Sequence, residues 1–530
     1  HVAHARNGAY GDSVARLLSS LKANHIPLTA AGVPGSRLGD SGNFAGTIDF
    51  APPSSKSGAA YNLTMVGSWN KTSPFGAGTT ELPAHSGDAT RWNGQVQFHQ
   101  STYFGFGILS ETGVALSASR NYLTPFIGDP SGSVLISSIF PDGSDVSKLV
   151  SFGGSRSQNR STYNTSVDFT NMLSWFSENN KHRIKLASEL RRDDYTVNQT
   201  TNTLGTFSYL SLSDLAAGTP SQFTRTLSPN VQSGGQYVEG LALGDSYKAS
   251  STVQIQYGAR LDGNQYVNGP ALNPAVQQLY GVANTYAPNN VFFSPRVGFS
   301  WAYGTASQVG GFQGAFRGPR AVLSGGAGVF QSNPSTTLLS GPMGTTGLAN
   351  AVQQLTCAGS ATPMPDWQGY FLDPSSVPTT CANGAWTTPF ATTAPNVSMT
   401  ARDYTAPRSV RGNLQWRGNI LNNLFNASFG GTYSRNLNQP ETVDLNVNPT
   451  ERFTLADEMN RPVFVNPASI DPATGVIAAG DGRVSTQFNR VSQLRTDLTS
   501  VSRQLQVSLS PTTFNTKWSW SLAYTYQRFD

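Results

Sequence analysis

Residues 252–262 read TVQIQYGARLD, and their apolar side chains alternate strictly with polar ones. A period of two places the two sets on opposite faces of a β-strand. The apolar face here carries Val253, Ile255, Tyr257, Ala259 and Leu261. The same pattern recurs at Val297, Phe299, Trp301 and Tyr303, and again at Trp518, Trp520, Leu522, Tyr524 and Tyr526. Segments of about ten residues with this alternation, separated by turn residues, are typical of transmembrane β-barrels.

The composition is polar without being charged. Only 12% of the 530 residues are charged, 53 are glycine, and the mean hydropathy is −0.28. Soluble globular domains usually have about 25% charged residues. No run of eighteen apolar residues exists that would predict a transmembrane helix. A closed barrel is the other structure that pairs every backbone polar group in lipid, so the sequence predicts an all-β, antiparallel up-and-down transmembrane barrel.

The charge does not indicate nucleic acid as a partner. The chain has a net charge of +5 and a pI near 9.1, but its 35 basic residues are scattered along the sequence. A nucleic-acid surface would need them clustered in a run or on one face.

The chain divides at about residue 45. Val14, Leu17, Leu18 and Leu21 lie at helical spacing, so residues 1–45 are expected to form a short helix and a loop leading into the barrel. Residues 46–530 are expected to form an incomplete barrel, with sixteen to eighteen strand candidates. Because His1 is not a start residue and Asp530 directly follows a strand pattern, the chain is expected to be an internal piece of a longer precursor.

One hairpin and the spacing of the connections support the barrel. The hairpin passes through residues 167–175, turns at 178–181 and returns through 184–190, with Arg183, Lys185, Glu189 and Arg191 sharing one polar face. Short connections alternate with long ones near 264–290, 331–407 and 435–490. Outer-membrane barrels have short periplasmic turns and long extracellular loops, so these long connections are expected outside the cell.

Three stretches resemble the Oar-like TonB-dependent receptors of Gram-negative outer membranes. They are LGDSY at 243–247 leading into VQIQYGARLD at 253–262, FSPRVGFSW at 293–301 followed by SGGAGVF at 324–330, and APRSVRGNL at 406–414 followed by GTYSRN at 431–436. The resemblance covers most of the chain from about residue 45 onward. It implies a cell outer-membrane barrel of about 22 strands when complete, around a plugged lumen. The chain departs from the family pattern, because neither a TonB box, a plug domain nor a carboxypeptidase-regulatory-like domain is recognisable in it.

The candidate site residues lie in the long connections. Cys357 and Cys381 are expected to form a disulfide, with two free thiols as the alternative. Six loop aromatics are candidates for ligand contact or for packing within the loops: Tyr280, Tyr286, Trp367, Tyr370, Phe371 and Trp386.

No catalytic, metal or cofactor site is expected. The six histidines are dispersed, and GGSRS at 153–157 lacks the second glycine of a nucleophile elbow. The acid pairs Asp193-Asp194 and Asp457-Glu458 are read as solvated carboxylates.

The sequence leaves three functions open. The first is a TonB-dependent receptor for energised uptake of a siderophore, glycan or peptide. The second is an outer-membrane barrel for adhesion or protein export, and the third is a secreted all-β carbohydrate-binding or adhesin protein. For the first, the resemblance implies outer-membrane lipid and lipopolysaccharide as partners, with the TonB complex engaged through a region outside this chain and an unidentified extracellular ligand.

Overall fold

A computed structural model describes residues 11–29, 33–52, 58–76, 78–139, 145–157, 159–305, 318–382, 394–421, 424–470, 480–512 and 519–530. Its strands, in chain order, are β1 (Leu38–Phe50), β2 (Ala60–Phe75), β3 (Gly87–Gly105), β4 (Ile108–Pro125), β5 (Ser131–Ile139), β6 (Asp145–Gly153), β7 (Ser161–Phe176), β8 (His182–Asn198), β9 (Thr206–Tyr209), β10 (Gln222–Thr226), β11 (Val231–Lys248), β12 (Val253–Tyr266), β13 (Asn290–Thr305), β14 (Pro319–Gln331), β15 (Gln354–Ala358), β16 (Val397–Thr400), β17 (Arg408–Ile420), β18 (Phe425–Asp444), β19 (Phe453–Leu455), β20 (Arg461–Val463), β21 (Val491–Pro511) and β22 (Leu522–Phe529). The described α-helices cover Gly11–Ala23, Leu212–Ala217, Pro274–Tyr280, Ser340–Gly344 and Trp367–Leu372.

The main element is a 15-stranded sheet in which each long strand pairs antiparallel with the next long strand along the chain. Its order is β1-β2-β3-β4-β7-β8-β11-β12-β13-β14-β17-β18-β21, with β22 on β21 and the short β16 parallel to the start of β21. This is up-and-down topology, as predicted. The count is below the sixteen to eighteen strands expected, because alternating segments such as β5 and β6 pair with each other in a separate sheet.

One face of this sheet is apolar and exposed. Residues directly opposite each other on neighbouring strands share a face, and Leu243 pairs with Ala259, while Tyr257 pairs with Val297. The side chains of Leu243 and Val297 are 58% and 54% exposed. A two-sheet secreted protein would instead bury such faces against each other, so the structure does not fit the carbohydrate-binding alternative.

The two rims of the sheet differ in the length of their connections. Short turns join β3 to β4 at 106–107, β7 to β8 at 177–181 and β11 to β12 at 249–252. The first requires glycine, because Gly107 has φ +74° and a Cβ there would lie 2.3 Å from the Phe176 carbonyl oxygen. The other rim carries the long connections that include residues 126–160, 199–230, 332–407 and 445–490.

Three of the long connections build a second sheet, which we call the cap sheet. Its order is β15-β10-β9-β5-β6, with β5 parallel to β9. Its buried core includes Val134, Phe152, Phe207 and Phe223. This is the larger of two buried apolar clusters in the described part of the chain. The smaller one joins Val276, Val397, Met399 and Phe488 of the long connections with Val491 at the start of β21.

The helix Gly11–Ala23 belongs to the cap sheet's core. Leu17 and Leu21 are buried there, and Asn24 donates a hydrogen bond of 2.9 Å to the Leu215 carbonyl oxygen. The expected helix is present. However, β1 begins at Leu38, before the expected boundary at residue 45, because Phe44 and Ile48 already share the outward face with Gly67 and Leu63 of β2.

Candidate functional site

The polar face of the long strands forms the wall of a lumen. Arg183, Lys185, Glu189 and Arg191 share this face of β8, as predicted, because they alternate with the outward-facing Ile184, Leu186 and Leu190. Arg191 lies 3.2 Å from Asp193 and 3.6 Å from Glu189. Arg191, Glu189 and Asp193 are therefore paired with one another along the strand.

An arginine bridge ties three strands together in this wall. Arg260 on β12 contacts Asp262 at 2.6 Å and reaches Glu189 on β8 at 2.7 Å. It crosses β11 at Gly240, which stands directly opposite both Glu189 and Asp262. A Cβ on Gly240 would lie 2.3 Å from Arg260 Nη2. A side chain at this position would displace the Arg260 guanidinium from its place between Glu189 and Asp262.

A segment of the long connection after β14 covers the lumen mouth beside these strands. Asp193, Gln236 and Tyr266 stand in one row on β8, β11 and β12, and residues 334–336 contact all three. Gln236 is 1% exposed and donates to the Thr336 hydroxyl at 2.9 Å and to the Pro334 carbonyl at 3.3 Å. The Tyr266 hydroxyl donates to the Ser335 carbonyl at 2.6 Å, and the Thr336 hydroxyl donates to Asp193 at 3.3 Å. We call residues 334–336 the mouth segment.

Nearer the short turns, the lumen wall is basic. A cavity of about 500 Å³ is lined by Arg183, Lys185 and Arg296, together with Gln254, Gln256, several glycines and Asp245, which contacts His182 at 2.7 Å. Among the described residues, no ion pair includes these three cations. Unpaired cations beside amide side chains suit an anionic group.

The structure brings the two cysteines together and separates the loop aromatics. Cys357 and Cys381 form a disulfide with a Cα–Cα distance of 5.5 Å. Trp367 and Tyr370 are buried in the cap sheet's core against Phe207. They are therefore not available for ligand contact, because the helix Trp367–Leu372 turns them inward.

The remaining aromatics differ in exposure. Tyr280 is half-buried, packs against Phe488 and donates to the Asn446 side chain at 2.8 Å. Tyr286 is half-buried as well. Phe371 is 58% exposed, and Trp386 lies outside the described residues. Phe371 is therefore the best-placed of the described candidates for ligand contact.

Members of both acid pairs take part in ion pairs. Asp193 faces the lumen while Asp194 faces outward and pairs with Arg192, because successive residues of a strand alternate between faces. Glu458 pairs with Arg461. No three His, Cys, Asp or Glu side chains converge on a metal-sized site in the described ranges. None of the described helices combines the length and apolarity needed to cross a membrane.

Sequence reasoning missed the mouth row and the role of Gly240. The alternation of β8, β11 and β12 places Asp193, Gln236 and Arg260 on the polar face. Which of these residues stand opposite one another depends on strand register, which no local pattern in the sequence reveals.

An exposed apolar outer face, a polar inner face and rims of unequal connection length define an outer-membrane β-barrel. The family model described as "Outer membrane beta barrel domain" matches residues 35–529, and the chain belongs to this family. This family places it in the outer membrane of a Gram-negative bacterium.

Solved structures similar to the chain are outer-membrane transporters and receptors. The outer membrane transporter YddB from Escherichia coli is 11% identical with a TM-score of 0.52, covering 94% of this chain and 50% of that one. The siderophore receptor PirA from Acinetobacter baumannii is 10% identical with a TM-score of 0.46, covering 94% and 54%. The FrpB iron transporter from Neisseria meningitidis is 8% identical with a TM-score of 0.47, covering 93% and 54%.

The chain spans about half the length of these structures. At such low identity the likeness to the YddB structure shows the fold alone. No curated protein matches the chain.

Proposed function

We propose that the intact protein is a TonB-dependent receptor that takes up a large or scarce ligand by energised transport. The resemblance of residues 243–262, 293–330 and 406–436 to Oar-like receptors supports the proposal. The ligand classes are those expected from the sequence: a siderophore, a glycan or a peptide. The TonB complex would engage a region outside this chain.

The mouth segment is the observation that carries this proposal. It belongs to the same long connection as β15 of the cap sheet, yet it contacts lumen residues of three barrel strands. Binding of a ligand to the extracellular connections would therefore be transmitted to the lumen wall through residues 334–336. A barrel that only displays a surface domain needs no such contacts.

Uptake assays in three strains test the proposal. Labelled siderophores, glycans and peptides are supplied to cells with the intact gene, cells without it and cells lacking TonB. We expect at least one ligand class to accumulate only when both the gene and TonB are present. Accumulation that is equal without TonB, or no dependence on the gene for any class, would contradict energised uptake.

A double substitution tests the mouth segment itself. Gln236→Ala with Thr336→Val removes the contacts of the segment with Gln236 and Asp193, leaves the one with Tyr266, and is expected to change uptake. The matched control is Gln97→Ala, since Gln97 is an exposed glutamine on the polar face of β3. Equal effects of the two variants would show that the mouth segment has no special role.

An adhesion or export barrel is the second candidate. The cap sheet favours it, because a buried core and a disulfide give a stable domain on the cell surface. This function predicts that deleting the gene changes cell attachment or protein display in the same way with and without TonB.

A further inference from the structure

The outward, membrane-facing surface of the barrel carries polar side chains on four adjacent long strands. Side chains that stand directly opposite each other on paired strands point to the same face, so register follows these residues from strand to strand. One row of four crosses β3, β4, β7 and β8 in register: Gln100, Thr112, Asn171 and Ser188. The next row toward the short turns contains Thr102 opposite Ser110. We call these six residues the polar patch.

Large apolar side chains border the polar patch on both sides. The row directly above it, toward the long connections, consists of four exposed residues: Phe98, Val114, Phe169 and Leu190. The lower row continues from Ser110 to Leu173 and Leu186, which are exposed as well. The six patch residues are half-buried between these rows. The polar patch is therefore a recess in a surface that otherwise suits hydrocarbon.

The polar patch lies in the middle of the apolar band and not at its edge. Asn171 stands five residues above Phe176, where β7 ends at the short turn. At about 3.4 Å per residue and a tilt of about 40°, five residues span about 13 Å, half of the apolar band of about 25 Å on outer-membrane barrels. Because the bilayer core holds no water, polar groups at this depth have to find their hydrogen-bond partners in protein.

Other long strands place no such groups at this height. Two to six residues from their short-turn ends, the outward faces of β12, β13, β14, β17, β18 and β21 carry only aliphatic or aromatic side chains and glycine among the described residues. On β11 the outward Asp245 already has partners, His182 at 2.7 Å and the Tyr257 hydroxyl at 2.9 Å. The polar patch is thus a local feature of one side of the barrel.

Hydrogen bonds within the polar patch use only part of its capacity. Asn171 donates to the Thr112 hydroxyl at 2.8 Å and to the Ser110 hydroxyl at 3.1 Å. Gln100 donates to the Thr102 hydroxyl at 3.0 Å. None of the described hydrogen bonds reaches the side-chain carbonyl oxygen of Asn171 or Gln100. Leaving a buried polar group without a partner is costly, so the patch favours a protein surface that supplies donors at this depth.

A second recess, of small residues, lies further up the same side of the barrel. It consists of four residues in register on β2, β3, β4 and β7: Gly67, Gly94, Ala118 and Thr165. Small residues let two transmembrane surfaces approach closely. The side from β2 to β8 is five strands wide, about 24 Å at about 4.8 Å per strand, and about 25 Å tall, or roughly 600 Å² as a flat projection. Standard interfaces bury about 800 Å² per partner, which is of the same order.

We propose that the side of the barrel from β2 to β8 is the interface of a homodimer in the outer membrane. Two copies inserted in the same orientation carry the polar patch at the same height, so a two-fold axis along the membrane normal places the two patches face to face. All six side chains are uncharged, and amides and hydroxyls both donate and accept, so the patch is complementary to a second copy of itself.

The free groups of the two copies match. The Thr112 and Ser110 hydroxyls accept from Asn171, so their own protons are free to donate to an amide oxygen of the other copy. The interface lies on the outside of the barrel and does not depend on the proposed transport function.

Two triple variants of the intact protein test the interface by analytical ultracentrifugation in detergent. Gln100→Leu, Thr112→Val and Asn171→Leu remove three residues of the polar row and leave a face that suits hydrocarbon. Asn413→Leu, Gln415→Leu and Thr432→Val make the same three replacements on the lumen face of β17 and β18. Because each hydrogen bond between transmembrane surfaces contributes modestly, the outward variant should associate about 10-fold to 100-fold more weakly. The lumen variant should associate as the wild type does.

A cross-link tests the contact in the membrane itself. Phe169→Cys places a thiol directly above Asn171, and Phe429→Cys places one at an equally exposed outward position of β18. The native cysteines are paired with each other. When outer membranes are treated with a membrane-permeant bis-maleimide, Phe169→Cys should give an adduct of twice the protein's mass, and Phe429→Cys should not.

Four results would overturn the proposal. They are equal association of the wild type and the outward triple variant, no double-mass adduct of Phe169→Cys, equal cross-linking of Phe429→Cys, and cross-linking of Phe169→Cys to a different protein only. The last would assign the polar patch to another partner. If heat-dependent migration in SDS gels shows that the triple variant has not folded, Asn171→Leu alone carries the test, with association expected to weaken about fivefold.

Discussion

At the scale of single residues, the Arg260 bridge shows how one glycine holds an ionic network in place. The side chain of Arg260 passes over Gly240 to reach Glu189. Gly240→Val should displace the guanidinium and leave Glu189 and Asp262 poorly paired, which costs about 2 kcal/mol or more. Denaturant unfolding of the purified protein measures this loss. The control is Gly431→Val on the outward face of β18, where an added Cβ meets no atom within 4 Å. Equal destabilisation by both variants would contradict the account of the bridge.

A second residue makes the stability of the cap sheet depend on pH. Asp129 is 4% exposed, both of its carboxylate oxygens lack a hydrogen-bond partner among the described residues, and burial raises its pKa to about 6. Between about pH 4 and pH 6 the folded state therefore binds more protons than the unfolded state, and stability falls as the pH rises.

Asp129→Asn should remove that slope and stabilise the cap sheet at pH 7 by roughly 1 to 3 kcal/mol. Hydrogen exchange of β5 across the pH range measures the change. Asp145→Asn, at an exposed position on β6 of the same sheet, is the control. A slope that stays the same in Asp129→Asn would show that other groups cause it.

At the scale of elements, the long strands could be predicted from sequence and the cap sheet could not. The hairpin β7–β8 follows from strict alternation and a polar turn, and the structure has it with Val167 opposite Arg192 and Trp175 opposite Ile184. The cap sheet takes strands from three connections that are distant in sequence, and β9 has only four residues. Pairing between β5 and β9 leaves no local pattern, because parallel strands need no shared turn.

The residues of the candidate site were likewise predictable on the strands and not in the loops. Strand periodicity placed Arg183, Lys185, Glu189 and Arg191 on one face. It gave no means of separating Phe371, which is exposed, from Trp367 and Tyr370, which are buried. Burial of a loop residue depends on what packs over it, here the core of the cap sheet.

The disulfide should stabilise the cap sheet and leave the barrel strands unchanged. It closes a loop with a sequence separation of 24 residues and ends on β15, where Cys357 stands opposite Phe223. Replacing both cysteines by alanine should cost the cap sheet about 3 kcal/mol. Hydrogen exchange should become faster in β10 and β15, with no change in β7 and β8. Faster exchange throughout the barrel would mean that the two sheets unfold as one unit.

At the scale of the whole molecule, the central claim is that the chain crosses the outer membrane with its long connections and cap sheet outside the cell. Two single-cysteine variants of the intact protein test this on living cells with a membrane-impermeant maleimide. Phe371→Cys places the thiol on the exposed surface of the cap connection, and Ser251→Cys places it in the short turn between β11 and β12. The native cysteines are paired with each other and do not react.

We predict that intact cells label Phe371→Cys at once and label Ser251→Cys only after the outer membrane is permeabilised. Labelling of Ser251→Cys on intact cells with protection of Phe371→Cys would invert the topology. Equal labelling of both variants on intact cells would contradict a membrane-spanning barrel altogether.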